Sequence, residues 1–105
     1  MAYQQGTWPF ADPRNVAVIT LKSITMGGAP ILHVTHDAED GTWQFLDGPT
    51  VSEESASVVS LEYVTRIDPS VIELADLPLG WNAYRRTVNE PWRRFETRKD
   101  SSARH

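Results

Sequence analysis

Ile31-Leu32-His33-Val34-Thr35-His36-Asp37-Ala38-Glu39-Asp40-Gly41-Thr42-Trp43-Gln44-Phe45-Leu46 is the stretch whose reading decides the fold class. Ile31–Thr35 and Thr42–Leu46 are rich in β-branched and aromatic residues, and Asp40-Gly41 between them is a turn signal. The two runs therefore read as a hairpin whose polar connection is longer than the ideal two residues. A period of two puts Ile31, His33 and Thr35 on one face of the first strand and Leu32, Val34 and His36 on the other. Leu32 and Val34 are assigned to the core, and Trp43 and Phe45 share one face of the second strand.

Upstream, Val16–Leu21 is β-branched and apolar and reads as a further strand, with Gly27-Gly28 as a turn after it. Residues 1–15 mix Gly6, Pro9 and Pro13 with Trp8 and Phe10 and show no periodicity. They read as an irregular arm that the two aromatics pin to the body. Downstream, Thr50 and Glu53 have the spacing of a capping box, which predicts a short helix over 51–57, followed by Val58 and Val59 as a brief strand or extended link. Ser60 then caps a helix whose Leu61, Val64 and Ile67 form one stripe. Asp68-Pro69 ends that helix and starts another, because Asp caps and Pro is preorganised for the first helical position. Val71, Leu74 and Ala75 form its inner stripe, and Pro78 and Gly80 close the helical region. Residues 81–86 and 92–96, interrupted by Asn89-Glu90-Pro91, read as a terminal hairpin, with a helix over 81–88 as the alternative. That hairpin would carry its rings on a core face and its arginines on a solvent face.

The whole is an α+β pattern: a small, mainly antiparallel sheet built from hairpins, with two or three short helices packed on one side. The expected organisation is an N-terminal arm over 1–15, one globular domain over 16–98 and a polar tail over 99–105. A chain of 105 residues and 11.8 kDa suits a single core, which at this size hides about 65 % of the unfolded chain's surface. Hydrophobic residues at 40 % and charged residues at 23 % exclude the signature of disorder. The absence of Cys excludes disulfides, thiolate metal sites and cysteine nucleophiles. Met1 to Asp12 has no basic segment followed by an apolar one, and no apolar run approaches the roughly 18 residues that cross a bilayer. The expectation is a cytoplasmic protein with no membrane partner.

Charge is unevenly distributed. Residues 1–80 hold eleven Asp or Glu against three Lys or Arg, a net of −8, while residues 81–105 hold seven Lys or Arg against three Asp or Glu, a net of +4. An acidic body and a basic end either complement each other or attract different partners.

Three constellations bear on chemistry. His33, His36, Asp37, Glu39 and Asp40 are the densest set of metal-ligand types, of which His33, His36, Asp37 and Asp40 are the candidates. His33 and His36 point to opposite faces of a strand, and the loop lacks the spacing of a calcium-binding hand, so a solvated hairpin loop is the preferred reading and no cofactor is expected. No serine has the Gly-x-Ser-x-Gly context of a nucleophile, and Gly27-Gly28 lacks the following Lys-Ser or Lys-Thr of a phosphate loop. No catalytic residue is assigned. Arg85-Arg86 and Arg93-Arg94, interleaved with Trp81, Tyr84, Trp92 and Phe95, offer a nucleic-acid platform, which the acidic body disfavours.

Asp40-Gly41-Thr42-Trp43-Gln44-Phe45-Leu46-Asp47-Gly48, Ile67-Asp68-Pro69-Ser70-Val71, Leu77-Pro78-Leu79-Gly80 and Ala83-Tyr84-Arg85 together resemble a family of small bacterial domains of uncharacterised biochemistry. These domains are grouped with polymorphic-toxin immunity proteins and were formerly a domain of unknown function. The resemblance runs over about residues 16–86. Its motif residues are Trp43, Phe45, Gly48, Asp68, Pro69 and Gly80, all with structural roles: core anchors, a turn, a cap, a first-turn proline and a helix stop. Pro49 to Val59 departs from the family pattern in lacking aromatic residues. The resemblance implies a compact domain that binds a partner rather than turning over a substrate.

The leading expectation is a non-enzymatic protein-interaction domain, immunity-like, with an acidic surface for a cationic protein partner. The interaction candidates are Asp37, Glu39, Asp40, Asp47, Arg85 and Arg93. The alternatives are a small enzyme or ligand-binding domain built on His33, His36 and Asp37, and nucleic-acid binding through 81–98. A homodimer through an unpaired sheet edge is a further option.

Overall fold

The computed structural model describes residues 8–48 and 55–97. It is an α+β domain: six strands in one mixed, mostly antiparallel sheet, with a few short helices packed to one side. In chain order the strands are β1 (Ala17–Leu21), β2 (His33–His36), β3 (Trp43–Leu46), β4 (Ala56–Ser60), β5 (Trp81–Tyr84) and β6 (Arg93–Glu96). The helices are α1 (Lys22–Thr25), α2 (Leu61–Ile67) and a 3₁₀ helix (Pro69–Leu74). Across the sheet the order is β4-β1-β3-β2-β5-β6, and β1 with β3 is the parallel pair.

Both expected hairpins form. In the first, Val34 lies opposite Phe45, and β5 adds to the other side of β2 so that Val34 also lies opposite Ala83. All three residues are fully buried. The segment 81–84 is a strand rather than a helix because β2 offers it a complete ladder, from Trp81 opposite His36 to Tyr84 opposite His33. The first strand is shorter than the sequence suggests. Ile31 sits ahead of it and is buried, while Leu32 is half-buried, the reverse of the expected assignment. The cause is that the alternation starts only at His33; before it, the Ile31 carbonyl is turned toward Arg85.

Residues 56 and 57, expected in a helix over 51–57, belong instead to β4, where Ala56 to Ser60 pair antiparallel with β1. Thr50 and residues 51–54 of that expected helix lie outside the described residues, as do residues 1–7 of the arm and the polar tail. The helix α1 was not foreseen either. Its single turn closes with the Met26 N–H on the Lys22 carbonyl at 2.8 Å, and Gly27 follows where a Cβ would come within 2.8 Å of the Ser23 carbonyl oxygen.

The helical region follows the sequence closely, except that Ile67, expected on the inner stripe with Leu61 and Val64, is 38 % exposed and Thr65 is buried instead. The Ser60 hydroxyl accepts from the Tyr63 N–H and caps α2, which buries Leu61, Val64 and Thr65. Asp68 leaves α2 in an extended conformation and caps the next helix through the Ser70 N–H, with Pro69 as its first residue. That helix is 3₁₀, burying Val71 and Leu74. These side chains meet Val18, Val34, Phe45 and Ala83 in one core. The arm is pinned as expected: Phe10 is buried with its ring edge-on to Trp43 at 5.4 Å, and the Trp43 indole N–H donates to Asp12 at 2.9 Å.

Arg85, read from the sequence as an interaction residue, is only 3 % exposed. Its Nη2 donates to Asp68 Oδ2 at 2.6 Å, its Nε and Nη2 both donate to the Ile31 carbonyl, and its Nη1 donates to the Ser70 hydroxyl. The Trp92 ring lies over the guanidinium, 4.0 Å from centroid to carbon. A buried guanidinium is retained only when its donors are answered, and here they are.

Breaking one side of that pair leaves a charge without its partner. Arg85→Met is expected to lower unfolding stability by about 3 kcal/mol, measured as a fall in the urea midpoint with the slope unchanged. Arg85→Lys is expected to recover only part of the loss, because an ammonium cannot reach Ile31, Ser70 and Asp68 together.

Candidate functional site

Because the two longer helices cover one side of the sheet, every second side chain of the strands is turned away from them. The register assembles those side chains into rows. Ile19 is aligned with Val58 and Gln44, Thr35 with Gln44 and Asn82, and Asn82 with Phe95. The row Val58, Ile19, Gln44, Thr35, Asn82, Phe95 therefore crosses all six strands, apolar at both ends and polar in the middle. The Thr35 hydroxyl donates to Gln44 Oε1 at 3.5 Å. Asn82 is 8 % exposed; its Nδ2 donates to the Thr97 hydroxyl and its Oδ1 accepts from His33 Nε2 at 3.0 Å. His33 Nδ1 is buried without a hydrogen-bond partner.

The middle of this row is the floor of a half-open concavity of about 380 Å³. Thr35, Gln44, Asn82 and Thr97 line it, with His36, Asp37, Ala38, Glu39 and Gly80 at its end. The described residues that line it include no Lys or Arg. Its acidic end is held by backbone geometry. Asp37 N–H donates to the Thr42 carbonyl and Gly41 N–H to the Asp37 carbonyl, with Gly41 at φ +75°, so the loop between β2 and β3 closes on itself. Asp37 Oδ1 accepts from the Glu39 N–H, and Asp40 Oδ1 from the Thr42 N–H. Gly80, at φ +82°, a conformation that favours glycine, ties the start of β5 to this loop through its N–H on the His36 carbonyl, 2.7 Å.

The residues singled out in the sequence do not form one site. His33 belongs to the polar row, whereas His36, though it borders the end of the concavity, turns its imidazole to the helix-covered side, stacked on Trp43 at 3.8 Å with Nδ1 donating to the Leu77 carbonyl. Among the described residues, no group of three or more His, Asp or Glu side chains converges as metal ligands would. Asp37, Glu39 and Asp40 do sit together, all exposed. Asp47 is at the far end of β3, accepting from the Ser23 hydroxyl, and Arg93 is exposed on β6 beside Tyr84. Three of the four arginines of 81–96 are in ion pairs: Arg85 with Asp68, Arg86 with Glu90 and Arg94 with Asp76. The expected split of the terminal hairpin into ring and arginine faces also fails. Phe95 and Arg93 share the open side with Asn82 and Tyr84, while Arg94 shares the other with Trp81 and Ala83, because the ladder register and not residue type sets the face.

Thr35, Gln44, Asn82 and Thr97 were not singled out by the sequence. The signal for Thr35 and Gln44 was there in the alternation, since each is flanked by residues that face the core. The row itself depends on pairings between β2, β3 and β5 that no local pattern states.

Comparison of the chain with family models, curated proteins and solved structures finds no match.

The Thr42 N–H, followed by the Thr42 hydroxyl, holds the Asp40 carboxyl below its ordinary value of 3.8. A carboxyl with a depressed folded-state pKa contributes to loop closure above 3.8 and loses that contribution as pH falls through the lower value. A carbon-13 titration of the Asp40 carboxyl is expected to give a midpoint below 3.8. Thr42→Val, which keeps the backbone donor, is expected to move that midpoint only part of the way up.

Proposed function

We propose that the protein is a non-enzymatic protein-interaction domain, immunity-like, that receives a basic side chain of a cationic protein partner in the open-face concavity. The observation that carries this reading is the placement of Asp37 and Glu39 at the end of a polar concavity of about 380 Å³ whose described lining includes no Lys or Arg. Thr35, Gln44 and Thr97 supply oxygen acceptors along the floor, and a guanidinium presents five donors in a plane. The loop that carries the carboxylates is closed by its own hydrogen bonds, so little is lost in ordering it on binding. The net of −8 over residues 1–80 would steer a basic partner toward the domain. The resemblance of the sequence to immunity-type domains points the same way, and the proposal includes a cytoplasmic location in a bacterium.

The rival readings have less support. A site built on His33, His36 and Asp37 would need the two imidazoles on one side of β2, and they lie on opposite sides. A nucleic-acid platform on 81–98 would need its arginines for phosphates, and Arg85, Arg86 and Arg94 are held by carboxylates. Among the described residues no helix is long and apolar enough to cross a membrane.

Co-expression with the products of neighbouring genes is expected to recover a basic protein in a stable complex at micromolar concentration. Reversing both carboxylates, with Asp37→Lys and Glu39→Lys together, is expected to weaken that complex at least about 100-fold, since like charges brought together cost several kcal/mol. Arg86→Glu, on the solvent side of the β5–β6 turn, is expected to leave it unchanged. Failure to recover any partner, or indifference of the complex to the double reversal, overturns the reading.

A further inference from the structure

Of the polar side chains in the row Gln44, Thr35, Asn82, Asn82 alone is buried. The register places it between two partners. Thr35 lies opposite Asn82 and His33 opposite Tyr84, so His33 stands one diagonal step from Asn82 on the same side of the sheet. The Thr97 N–H donates to the Gly80 carbonyl at 2.7 Å, which extends the β5–β6 ladder by one pair and sets Thr97 diagonal to Asn82 on its other flank. His33 Nε2, the Asn82 amide and the Thr97 hydroxyl thus form a chain of two hydrogen bonds that runs from β2 through β5 to the residue after β6.

Such a chain can run in two directions. In one, His33 Nε2 carries the imidazole proton and gives it to Asn82 Oδ1, while Asn82 Nδ2 donates to Thr97 Oγ1. In the other, the Thr97 hydroxyl donates to Oδ1, Nδ2 donates to His33 Nε2, and the imidazole proton sits on Nδ1. His33 Nδ1 decides between them, because it is buried without a hydrogen-bond partner. Its neighbours across the ladder are Leu46, which is apolar, and Tyr84, whose ring stands edge-on at 6.4 Å. An orphaned buried N–H is rarer in folded proteins than an under-used acceptor, so Nδ1 keeps a lone pair and Nε2 the proton. Thr97 Oγ1 then accepts from Asn82, and its own proton has no acceptor among the described residues.

We propose that His33 is a positioning residue of the concavity: its Nε2–H fixes the direction of this chain so that Thr97 donates to a carbonyl oxygen of the partner, and the group received is a basic side chain together with the carbonyl of its own peptide unit. Thr97 and the two carboxylates of Asp37 and Glu39 line the same concavity. The carboxylates answer the cation, and the hydroxyl proton answers an acceptor beside it. A volume of about 380 Å³ lies in the range of sites that enclose a small ligand, which leaves room for a peptide unit as well as a side-chain head.

The inference rests on the concavity receiving a basic side chain and adds what must lie next to that side chain. A site of acceptors alone would take any cation that fits. A site with a fixed donor near its carboxylates discriminates against a bare cation, because the donor is then left to water. His33 touches no ligand in this scheme and acts only through Asn82.

The test uses the full chain with nitrogen-15 histidine and two probes: acetylarginine methylamide, which carries the cation and its flanking carbonyls, and methylguanidinium, which carries the cation alone. In buffer alkaline enough to keep imidazoles neutral, the His33 signals, identified by their loss in His33→Leu, are expected to show a protonated Nε2 and an unprotonated Nδ1. In chemical-shift titrations the wild type is expected to bind the arginine amide at least about tenfold more tightly than methylguanidinium. His33→Leu is expected to shrink that ratio at least about threefold, since the Asn82 amide loses the donor that orients it. Damage to packing would weaken both probes alike and leave the ratio unchanged. Thr97 is exposed, so its variants leave the core intact: Thr97→Val is expected to shrink the ratio as His33→Leu does, and Thr97→Ser to keep it. A proton on Nδ1, equal binding of the two probes by the wild type, or a ratio unmoved by His33→Leu or Thr97→Val overturns the proposal while leaving the concavity a receptor for cations. A wild type that binds neither probe overturns both readings.

Discussion

The guanidinium of Arg85 joins the end of β5 to three other parts of the chain, two of them distant in sequence. Its hydrogen bonds reach the Ile31 carbonyl ahead of β2, the Asp68 carboxylate between the two longer helices and the Ser70 hydroxyl in the 3₁₀ helix, and its flat face meets Trp92 ahead of β6. Taking such a cation out of water costs several kcal/mol unless every donor is answered in good geometry. The fork of an arginine makes this feasible because its donors are fixed in one plane and its faces are weakly hydrated. Asp68 is held in turn, since its Oδ1 accepts from both the N–H and the hydroxyl of Ser70. The same aspartate thus ends one helix, begins the next and anchors the end of β5. No one of these three jobs can be changed without the other two.

This arrangement also explains the use of the basic end of the chain. The positive charge of residues 81–96 goes largely to the protein itself, with Arg85 on Asp68, Arg94 on Asp76 and Arg86 on Glu90. Of these only Arg85 is buried. The exposed pairs contribute little to stability, but they fix where β6 lies and leave the acidic loop between β2 and β3 as the charged feature beside the concavity. An acidic body and a basic end, seen in the sequence as two surfaces, are partly one internal complement.

One side of the sheet is closed by α2, the 3₁₀ helix and the arm pinned at Trp43, and that coverage determines what remains for recognition. Side chains on the covered side are apolar, or polar groups answered locally, such as His36 on the Leu77 carbonyl and Thr20 on the Phe45 carbonyl. On the other side, threonine, glutamine and asparagine alternate with the core residues. A polar row on a rigid sheet loses little entropy on binding, and a closed loop at its end supplies charge at a set position.

Local signals settled a good deal. The alternation over His33–His36 and Trp43–Leu46, the Ser60 cap, the Asp68-Pro69 break and the Gly80 stop each depend on neighbours a few residues away, and each is where the sequence puts it. The α+β class and the two hairpins follow from them. What required the tertiary structure is non-local. The parallel contact of β1 with β3, the docking of β4 on the far side of β1 and the burial of Arg85 pair residues with wide sequence separation, and no short-range propensity encodes such a pairing. Val58 and Val59 read equally well as a link or a strand until β1 supplied a partner. Arg85 read as surface because an arginine is buried only where distant acceptors converge on it, and Ile31, Ser70 and Asp68 converge only in the folded chain. For the same reason the polar row of Gln44, Thr35 and Asn82 was invisible: period two tells which face each residue takes, but only the ladder register brings three strands' residues side by side.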